Sequence, residues 1–494
     1  METWLLLIIL GVTTYFIVSR GVSKITTTPV WMLWLVLMTP AISLTLWAVV
    51  YGEQRPMPAL LLLGLFIFSP LGYWFLVQAG RRHLPKENSE ISPIDESNPH
   101  NSSISPPETP LPLRPITKEE EVKLRECFPW GIYYLQNVEY FPQAMVCRGK
   151  LRTDPDRAYK TINQNIKTLF SDRFYVIFQE TAKGSPVFTL VPNPQVQNPI
   201  EQEPIFRPFL ALGLILVTLL TTTAIGADLV GLSTKQVQSN PALLVQGLPY
   251  ALALMAILSI HELGHYFTSV YYRMQTTLPY FIPVPFFLGT LGAFIQMRSP
   301  VPHRKALFDV GIAGPVAGLL MALPLLIWGL VHSRVVPFSD ASNLLNFESL
   351  NPRFSLLLTL ISKLALGSQF TAGTVINLHP VAIAGYIGLV ITAFNLMPLG
   401  QLDGGHMVHA MFGQKKAVAI GQITRILVLL LALLQPDLII WAIVLFFMPI
   451  TDQPALNDVS ELDNWRDVTG LVALGFLVMM IVPVPGVITR LLNI

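Results

Sequence analysis

Residues 243–271 read LLVQGLPYALALMAILSIHELGHYFTSVY, an apolar run that carries the motif HELGH near its end. A bilayer core about 30 Å thick requires roughly 20 apolar residues in a helix, so this run can cross a membrane. His261 and His265 are four residues apart and therefore lie on one face of a helix, where both imidazoles can bind one metal ion. Glu262 is close enough to reach a water molecule on that metal without binding the metal. The stretch predicts a membrane helix with a metal-dependent site.

The location of the HELGH motif inside an apolar run favours a functional role over a chance match. The chain contains nine histidines, and a chance His-Glu-x-x-His match is expected in about one chain in a few hundred of this composition. Burying two histidines and a glutamate within a membrane costs roughly several kcal/mol, and such residues are functional by default. The alternative is a polar cluster that only bonds neighbouring helices.

The composition agrees with a membrane protein and excludes a soluble globular enzyme. Of the 494 residues, 52% are hydrophobic and 13% are charged, against about 25% charged in an ordinary soluble domain. The net charge is +2 and no long block of one sign occurs, so we expect no nucleic-acid partner. Cys127 and Cys147 are too few for a disulfide framework or a thiolate metal site.

Other apolar runs extend along most of the chain. They cover residues 4–19, 30–51, 57–79, 207–227, 306–331, 380–400, 417–450 and 467–488. Gln435-Pro436-Asp437 interrupts the run 417–450, which is either one span plus a half-span or a tight helical hairpin. The first run lacks a basic segment and a clear cleavage site, which favours a retained span over a secretory signal. We therefore predict a polytopic α-helical membrane protein of about 8–10 spans with a small α+β soluble insert.

Basic residues at the ends of the runs predict the orientation, because short loops rich in Lys and Arg stay on the cytoplasmic side. Arg20 and Lys24 follow the first run, and Arg81 and Arg82 follow the third. The N-terminus is therefore expected outside and the polar segment after residue 80 inside. The start of the chain does not resemble an Arg-rich, acid-poor transit peptide, so we expect a bacterial membrane protein.

The polar segment divides into a linker and a small domain. Its first part is rich in Pro, Ser, Asn and Glu, a composition that buries too little apolar surface to fold. Beyond it, strands are predicted at 144–152, 174–178 and 187–191 and a helix at 156–170. The predicted parts are a three-span segment (1–80), a disordered linker (81–115), a cytoplasmic α+β domain (116–200), a membrane core (201–450) and a C-terminal span (451–494). The small domain shows no catalytic constellation, so we expect a regulatory or substrate-contacting role. The alternative is a structural domain that only stabilises the membrane part.

A catalytic zinc usually has three protein ligands, so the two histidines need a third. Asp403 lies 12 residues before Lys415, just as His261 lies 12 residues before Arg273. If both stretches are helical, both residues lie about 18 Å from the cytoplasmic surface. The backbone around Pro398 cannot form a regular helix, and such backbone is tolerated at this depth only where it is buried or lines a wet cavity. We therefore expect Asp403 in a water-accessible site.

Other histidines are weaker candidates for the third ligand. His303 and His379 are expected too close to the membrane surfaces, whereas His406 and His409 are reserve ligands that follow Asp403 along the chain. The alternative for Asp403 is an Asp-Gly turn that only joins two helices, although such turns belong at the surface.

Two further segments suggest how a substrate and the helices are arranged. Residues 281–295 are apolar, broken by Pro and Gly, and lie between basic residues expected on the same side of the membrane. This pattern predicts a re-entrant loop or hairpin, whose free strand edge suits strand addition by an unwound substrate. Gly314-Pro-Val-Ala-Gly318 predicts close helix packing.

The motifs HELGH at 261–265 and FNLMPLGQLDGGH at 394–406 together resemble the site-2 protease family of intramembrane zinc metalloproteases. Within it, the chain is most similar to the cyanobacterial and chloroplast branch of ethylene-dependent gravitropism-deficient and yellow-green-like proteins. The resemblance covers residues 207–450. Plant members of this branch carry a Gly-Asn-Leu-Arg element where this chain has Lys150 in place of the Asn, so any role of that Asn does not transfer.

The resemblance implies one zinc ion per chain, held by His261, His265 and Asp403. It implies that Glu262 is the general base and that Asn395 orients the substrate or the oxyanion. The implied substrate is a transmembrane protein cut within or near the lipid bilayer, and the implied location is a cyanobacterial plasma or thylakoid membrane. The oligomeric state stays open.

Two other functions use the same residues. A metal-ion transporter would employ the cluster as a transit site at the midplane of the membrane and would give Glu262 no proton-transfer role. A pseudoprotease would bind membrane proteins without cutting them, and the complete set of chemical groups makes it the weaker alternative.

Overall fold

The structure, a computed structural model, describes residues 28–51, 58–80, 116–141, 144–181, 184–193, 207–285, 288–337, 350–434 and 438–494, with positions 11, 14, 15, 18, 19 and 196. The helices are α1 (Val30–Tyr51), α2 (Ala59–Ala79), α3 (Lys118–Glu126), α4 (Pro155–Phe170), α5 (Pro208–Leu229), α6 (Thr234–Ser239), α7 (Leu248–Tyr271), α8 (Arg304–Val331), α9 (Leu356–Leu366), α10 (Pro380–Asn395), α11 (Asp403–Phe412), α12 (Gln414–Leu434), α13 (Ile439–Phe447), α14 (Asn464–Ile481) and α15 (Gly486–Leu492). The strands are β1 (Tyr133–Phe141), β2 (Ala144–Leu151), β3 (Phe174–Glu180), β4 (Pro186–Pro192), β5 (Tyr280–Pro283), β6 (Thr290–Phe294), β7 (Arg334–Pro337) and β8 (Thr374–Asn377).

The described part of the chain contains six helices long and apolar enough to cross a membrane. They are Val30–Tyr51, Pro208–Leu229, Pro241–Tyr271, Arg304–Val331, Gln414–Leu433 and Asn464–Ile481. The chain is thus a polytopic α-helical membrane protein with a small α+β insert, as predicted. The linker at 81–115 and most of the run 4–19 lie outside the described residues, and the total of about 8–10 spans stays a prediction.

The chain divides into two compact units. The described residues up to Gly80 group with residues 425–447, and the insert, the motif-bearing helices and the C-terminal helices form the other unit. Residues 425–447, assigned from the sequence to the membrane core, therefore group with the N-terminal helices.

The insert is a four-stranded antiparallel sheet in the order β1-β2-β4-β3, with α3 and α4 beside it. Helix α4 begins with Pro155 after Asp154, whose carboxylate accepts a hydrogen bond from the Arg157 amide and caps the helix. Its buried side chains repeat every four residues and pack on the sheet: Ala158, Ile162, Ile166 and Phe170. Cys127 and Cys147 are free thiols buried in this core.

Two apolar runs are not continuous helices, as the sequence indicated, and several elements were not predicted. The run 380–400 is not one helix, because α10 ends at Asn395 and α11 begins at Asp403, which confirms the irregular backbone predicted around Pro398. The run 417–450 contains α12 and the nine-residue α13, which is too short to be a second full span. This agrees with the predicted alternative of one span plus a half-span. Strand β1, helix α3 and helix α9 were not predicted from the sequence.

The segment 281–295 contains the antiparallel hairpin of β5 and β6, which confirms the predicted hairpin. The hairpin is fixed to two membrane helices through backbone carbonyls near its turn. Thr221 Oγ1 of α5 donates to the Gly289 carbonyl at 2.6 Å, and the Tyr250 hydroxyl of α7 donates to the Leu288 carbonyl at 3.0 Å.

Candidate metal centre

Helix α7 presents both histidines of the HELGH motif on one buried face. His261 and His265 are 4% and 8% exposed, and their Nε2 atoms lie 3.2 Å apart. Two nitrogen atoms this close, with their rings one helical turn apart, are oriented toward a common point. The helix therefore supplies two convergent ligand atoms.

Asp403, the first residue of α11, brings a carboxylate oxygen to the same point. Its Oδ2 lies 3.4 Å from His261 Nε2 and 3.3 Å from His265 Nε2. Ligands bound tetrahedrally to zinc at about 2.0–2.1 Å lie about 3.3 Å from one another. The three separations fit zinc, and three protein ligands leave a fourth position open. Within the described residues, this is the one group of three or more potential ligands that converges in this way.

A hydrogen bond to the backbone fixes the ring of His265. Its Nδ1 lies 2.8 Å from the carbonyl oxygen of Val310 on α8, and a carbonyl can only accept, so Nδ1 carries the proton. Nε2 then has its lone pair directed at the cluster. Such outer partners commonly set the tautomer and orientation of a metal-binding histidine.

Small residues let α8 pack directly against the two histidines. A Cβ atom at Gly314 would overlap His265 Nε2, and one at Gly318 would lie 2.9 Å from His261 Nδ1. The close packing predicted for Gly314 and Gly318 is confirmed, and its partners are the histidine rings themselves. A side chain at Gly314 would displace a ligand.

The irregular segment between α10 and α11 is what places Asp403 at the start of a helix. Gly400 has φ +53°, a conformation that L side chains rarely adopt, and a Cβ there would overlap the carbonyl oxygen of Pro449. A Cβ at Gly404 would overlap the Leu396 carbonyl. Glycines at these positions allow the backbone to turn and bring Asp403 to the histidines.

Glu262 and Asn395 lie beside the three ligand atoms. Glu262 is 8% exposed and interacts with the backbone of Ile295, directly after β6. Asn395 is half-buried at the end of α10, and its Nδ2 lies 3.2 Å from His261 Nε2. The structure thus brings together all five residues singled out from the sequence.

The remaining histidine candidates have other contacts. His303 and His379 accept hydrogen bonds from backbone amides at the starts of α8 and α10. His406 and His409, the reserve ligands, lie next to Asp452, with Nδ1 to Oδ2 distances of 2.9 and 2.8 Å. His409 is therefore engaged elsewhere, and neither residue belongs to the converging set.

One network near the site has no signal in the sequence. Asp309 of α8 accepts hydrogen bonds from the Tyr272 hydroxyl at 2.5 Å and from Arg466 Nε of α14 at 2.7 Å. It joins the ends of three helices next to Val310, which holds His265. The partners are up to 157 residues apart in the chain, too far for spacing to reveal them.

The fold and this cluster define a polytopic membrane protein with a buried metal-ligand set of two histidines and one aspartate. Residues 249–434 match Peptidase family M50, and residues 122–199 match the EGY3 middle domain. Residues 249–434 are therefore a Peptidase family M50 domain. The resemblance to site-2 proteases, and to their ethylene-dependent gravitropism-deficient and yellow-green-like branch, is confirmed.

The relatives carry names that agree with this family. The chain is 37% identical over 239 residues to the probable zinc metalloprotease EGY1, chloroplastic, of Arabidopsis thaliana. This match covers 48% of this chain and 43% of that protein. It is 27% identical over 392 residues to the probable zinc metalloprotease EGY2, chloroplastic, of Oryza sativa subsp. indica, which covers 76% and 70%. It is 24% identical over 366 residues to the probable zinc metallopeptidase EGY3, chloroplastic, of Arabidopsis thaliana, which covers 71% and 63%. No solved structure matches the chain.

The matches cover only part of each relative. The chain spans less than half the length of the EGY1 relatives it matches, 43% in Arabidopsis and 40% in rice. These relatives are plant proteins named chloroplastic, so the comparisons give no support to the bacterial origin expected from the sequence.

Proposed function

We propose that the chain is a zinc-dependent intramembrane endopeptidase that cleaves a transmembrane protein. The observation that carries the proposal is the buried cluster of His261, His265 and Asp403, whose ligand atoms have zinc-like separations inside a Peptidase family M50 domain. The relatives named as probable zinc metalloproteases support the same reaction class. One zinc ion per chain follows from the single converging set found among the described residues.

Glu262 is the residue we assign to proton transfer. Zinc in a site of this kind acts as a Lewis acid that lowers the pKa of water to about 7 and stabilises negative charge on oxygen. Glu262 accepts the proton of the attacking water and then donates a proton to the leaving amine. Its burial excludes bulk water, so the proton passes between the carboxylate and the reacting groups rather than to solvent.

Asn395 is proposed to orient the peptide carbonyl under attack. Its side-chain amide lies at the ligand cluster, and an amide N–H there can donate a hydrogen bond to the oxygen on which charge develops. Asn395 is the last residue of α10. Its amide therefore lies where the regular helix ends and the irregular segment before Asp403 begins.

The β5–β6 hairpin is proposed to present the substrate. A helical substrate shields its carbonyls, so it must unwind locally before it is cut. Strand β6 ends at Phe294, one residue before the backbone that interacts with Glu262. A peptide that pairs with β6 by strand addition would therefore pass beside the catalytic carboxylate.

The substrate and the location follow from the same proposal. A site inside membrane helices acts on protein segments that are themselves in the bilayer, so the partners are a transmembrane protein and lipid. The chloroplastic relatives and the photosynthetic branch they represent favour a photosynthetic membrane.

The deciding experiment compares wild type with Glu262→Gln in cleavage of a model single-span substrate, with bound zinc quantified in both. We expect equal zinc and cleavage by wild type alone. Glu119→Gln, at the surface of the insert, is the matched control and should cleave normally. Zinc in all samples with no cleavage in any, combined with zinc flux across vesicles, would replace the protease by the metal-transporter alternative. Purified wild type without zinc would favour the pseudoprotease.

A further inference from the structure

A second buried polar cluster lies at the far end of helix α11. His409 is fully buried, and Asp452, Asp458 and Arg304 are 7%, 3% and 8% exposed. His409 Nδ1 lies 2.8 Å from Asp452 Oδ2, and its Nε2 lies 3.1 Å from Asp458 Oδ2. Arg304 Nε, at the start of α8, donates to Asp458 Oδ1 at 3.2 Å. These groups form a chain of contacts that the metal centre does not use.

The contacts of His409 determine its charge. Both ring nitrogens face carboxylate oxygens, and an ionised carboxylate only accepts hydrogen bonds. A neutral imidazole would place a lone pair against one of them, so His409 is an imidazolium that donates to both carboxylates. The two negative charges of Asp452 and Asp458 then face the cations of His409 and Arg304, and His406 Nδ1 also lies 2.9 Å from Asp452 Oδ2. Removing one member of such a buried set leaves an uncompensated charge, which is strongly destabilising.

His409 holds the helix that begins with the proposed metal ligand. Asp403 lies six residues before it on α11, a distance of about 9 Å along a rigid helix. The start of α11 packs closely on α8, where a Cβ at Gly311 would lie 2.9 Å from the Asp403 carbonyl oxygen. A shift of α11 along its axis therefore changes the distance between Asp403 and the histidines of α7.

The segment that carries Asp458 is bonded to the soluble insert. The Phe178 amide of edge strand β3 donates to the Leu456 carbonyl at 2.7 Å, and the Asp458 amide donates to the Phe178 carbonyl at 2.8 Å. On its other side, the Leu456 amide donates to the Val301 carbonyl at 2.8 Å, just before α8. Residues 456–458, here called the bridging strand, thus extend the insert sheet to the membrane helices.

A side-chain contact adds to this connection. Asn457 Nδ2 donates to Asp156 Oδ1 of α4 at 3.1 Å and lies 2.7 Å from Ser460 Oγ. Asp458 is therefore held by its backbone on the insert and by its carboxylate on His409 and Arg304.

We infer that His409 is a positioning residue for Asp403, and that the bridging strand couples its position to the docked soluble insert. The inference rests on the proposed zinc site. The insert thereby acts on the metal centre without contributing a ligand, through Asp458, His409 and helix α11. The coupling is reciprocal, so zinc binding must also stabilise the contact between the insert and the bridging strand.

The first test measures zinc affinity by chelator competition on the purified full chain. His409→Gln and Asp458→Asn each leave the cluster with one unbalanced charge. Each should lower zinc affinity about 10-fold, the lower end of the effect known for residues that orient metal ligands without binding the metal. The double variant restores charge balance and should recover most of the loss, which simple loss of packing would not do. His332→Gln, an exposed histidine at the end of α8, is the matched control.

The outcomes separate this inference from the proposed function. Wild type that binds no zinc would remove the proposed function and this inference with it. Normal zinc affinity in His409→Gln, with an unchanged visible spectrum of the cobalt-loaded site, would overturn the positioning role alone. Losses that simply add in the double variant would also overturn it.

The second test follows amide hydrogen exchange with and without zinc. Zinc should slow exchange in peptides covering 174–180 and 455–460 of wild type, and this effect should disappear in His409→Gln. The peptide covering 133–141, at the opposite edge of the same sheet, is the internal control and should not respond. Exchange at 455–460 that is independent of zinc in wild type would overturn the coupling to the insert.

Discussion

Two histidine–carboxylate clusters lie at opposite ends of helix α11 and differ in how their atoms meet. At the start, Asp403 Oδ2 and two Nε2 atoms lie 3.2–3.4 Å from one another. At the far end, each ring nitrogen of His409 faces its own carboxylate. Three converging atoms can share a metal ion, whereas an imidazole enclosed by two carboxylates has no lone pair left to bind one. The arrangement of the atoms, more than the residue types, decides between metal binding and ion pairing.

The largest expected effect separates the two ends of α11. Asp403→Ala removes a direct ligand and should lower zinc affinity by more than about 100-fold, beyond the roughly 10-fold loss expected for His409→Gln. Chelator competition on both variants checks this order. Equal zinc loss in Asp403→Ala and Glu262→Gln would contradict the roles assigned to the two carboxylates.

Gly314→Ala tests the close packing of α8 against the histidines of α7. The new methyl group would overlap His265 Nε2, so the ligand must move, and zinc occupancy should fall together with about 1–3 kcal/mol of stability. Gly213→Ala on α5 is the control, because a Cβ there meets no atom within 4 Å. Zinc content and thermal unfolding of both variants check the prediction. Normal zinc in Gly314→Ala would mean that His265 is not held where the structure places it.

Asn395→Ala tests whether the amide beside the cluster acts on the transition state. Loss of an oxyanion donor lowers kcat by about 100-fold, so kcat should fall more than KM rises, while zinc content stays unchanged. Steady-state cleavage of the single-span substrate provides both constants. An effect on KM alone would assign Asn395 to substrate docking.

The smallest expected effect concerns the ion-paired end of α11. Burial by itself raises the pKa of Asp452, but His406 and His409 outweigh it and hold the pKa at about 2. A carboxyl with a pKa lowered from 3.8 stabilises the fold above pH 4, and this contribution is lost as the pH falls toward 2. Asp452→Asn should therefore cost about 2 kcal/mol at neutral pH. The cost should shrink between pH 4 and pH 3 in thermal unfolding, and a cost independent of pH would contradict the ion pairing.

Much of the candidate site could be predicted from the sequence because it depends on local spacing. The four-residue separation of His261 and His265 fixes them on one helix face, and apolar runs of sufficient length predict membrane helices. Counting along the chain also selected Asp403 over His303 and His379, since residues at equal distance from the cytoplasmic basic residues lie at equal depth. These inferences use regular helix geometry, which the structure retains around the site.

What was missed depends on contacts between distant segments. The bridging strand binds the insert through backbone groups of Phe178, Leu456 and Asp458, and backbone hydrogen bonds leave no pattern in side-chain identity. Helix α9 has 11 residues, too few for a search based on the length of a span. The contact of Gly314 with His265 also required the packing of α8 on α7, for which the sequence indicated only that small residues were present.

The position of Gly400 against Pro449 has a consequence for biosynthesis. Three residues that hold α11, namely Pro449 beside the irregular segment and Asp452 and Asp458 around His409, lie C-terminal to the ligands they support. During synthesis the chain emerges from its N-terminal side, so His261, His265 and Asp403 leave the ribosome before their supports do. We therefore expect the metal centre to be assembled only after residue 458 has been made, which keeps the nascent chain inactive while its own membrane helices are still being inserted.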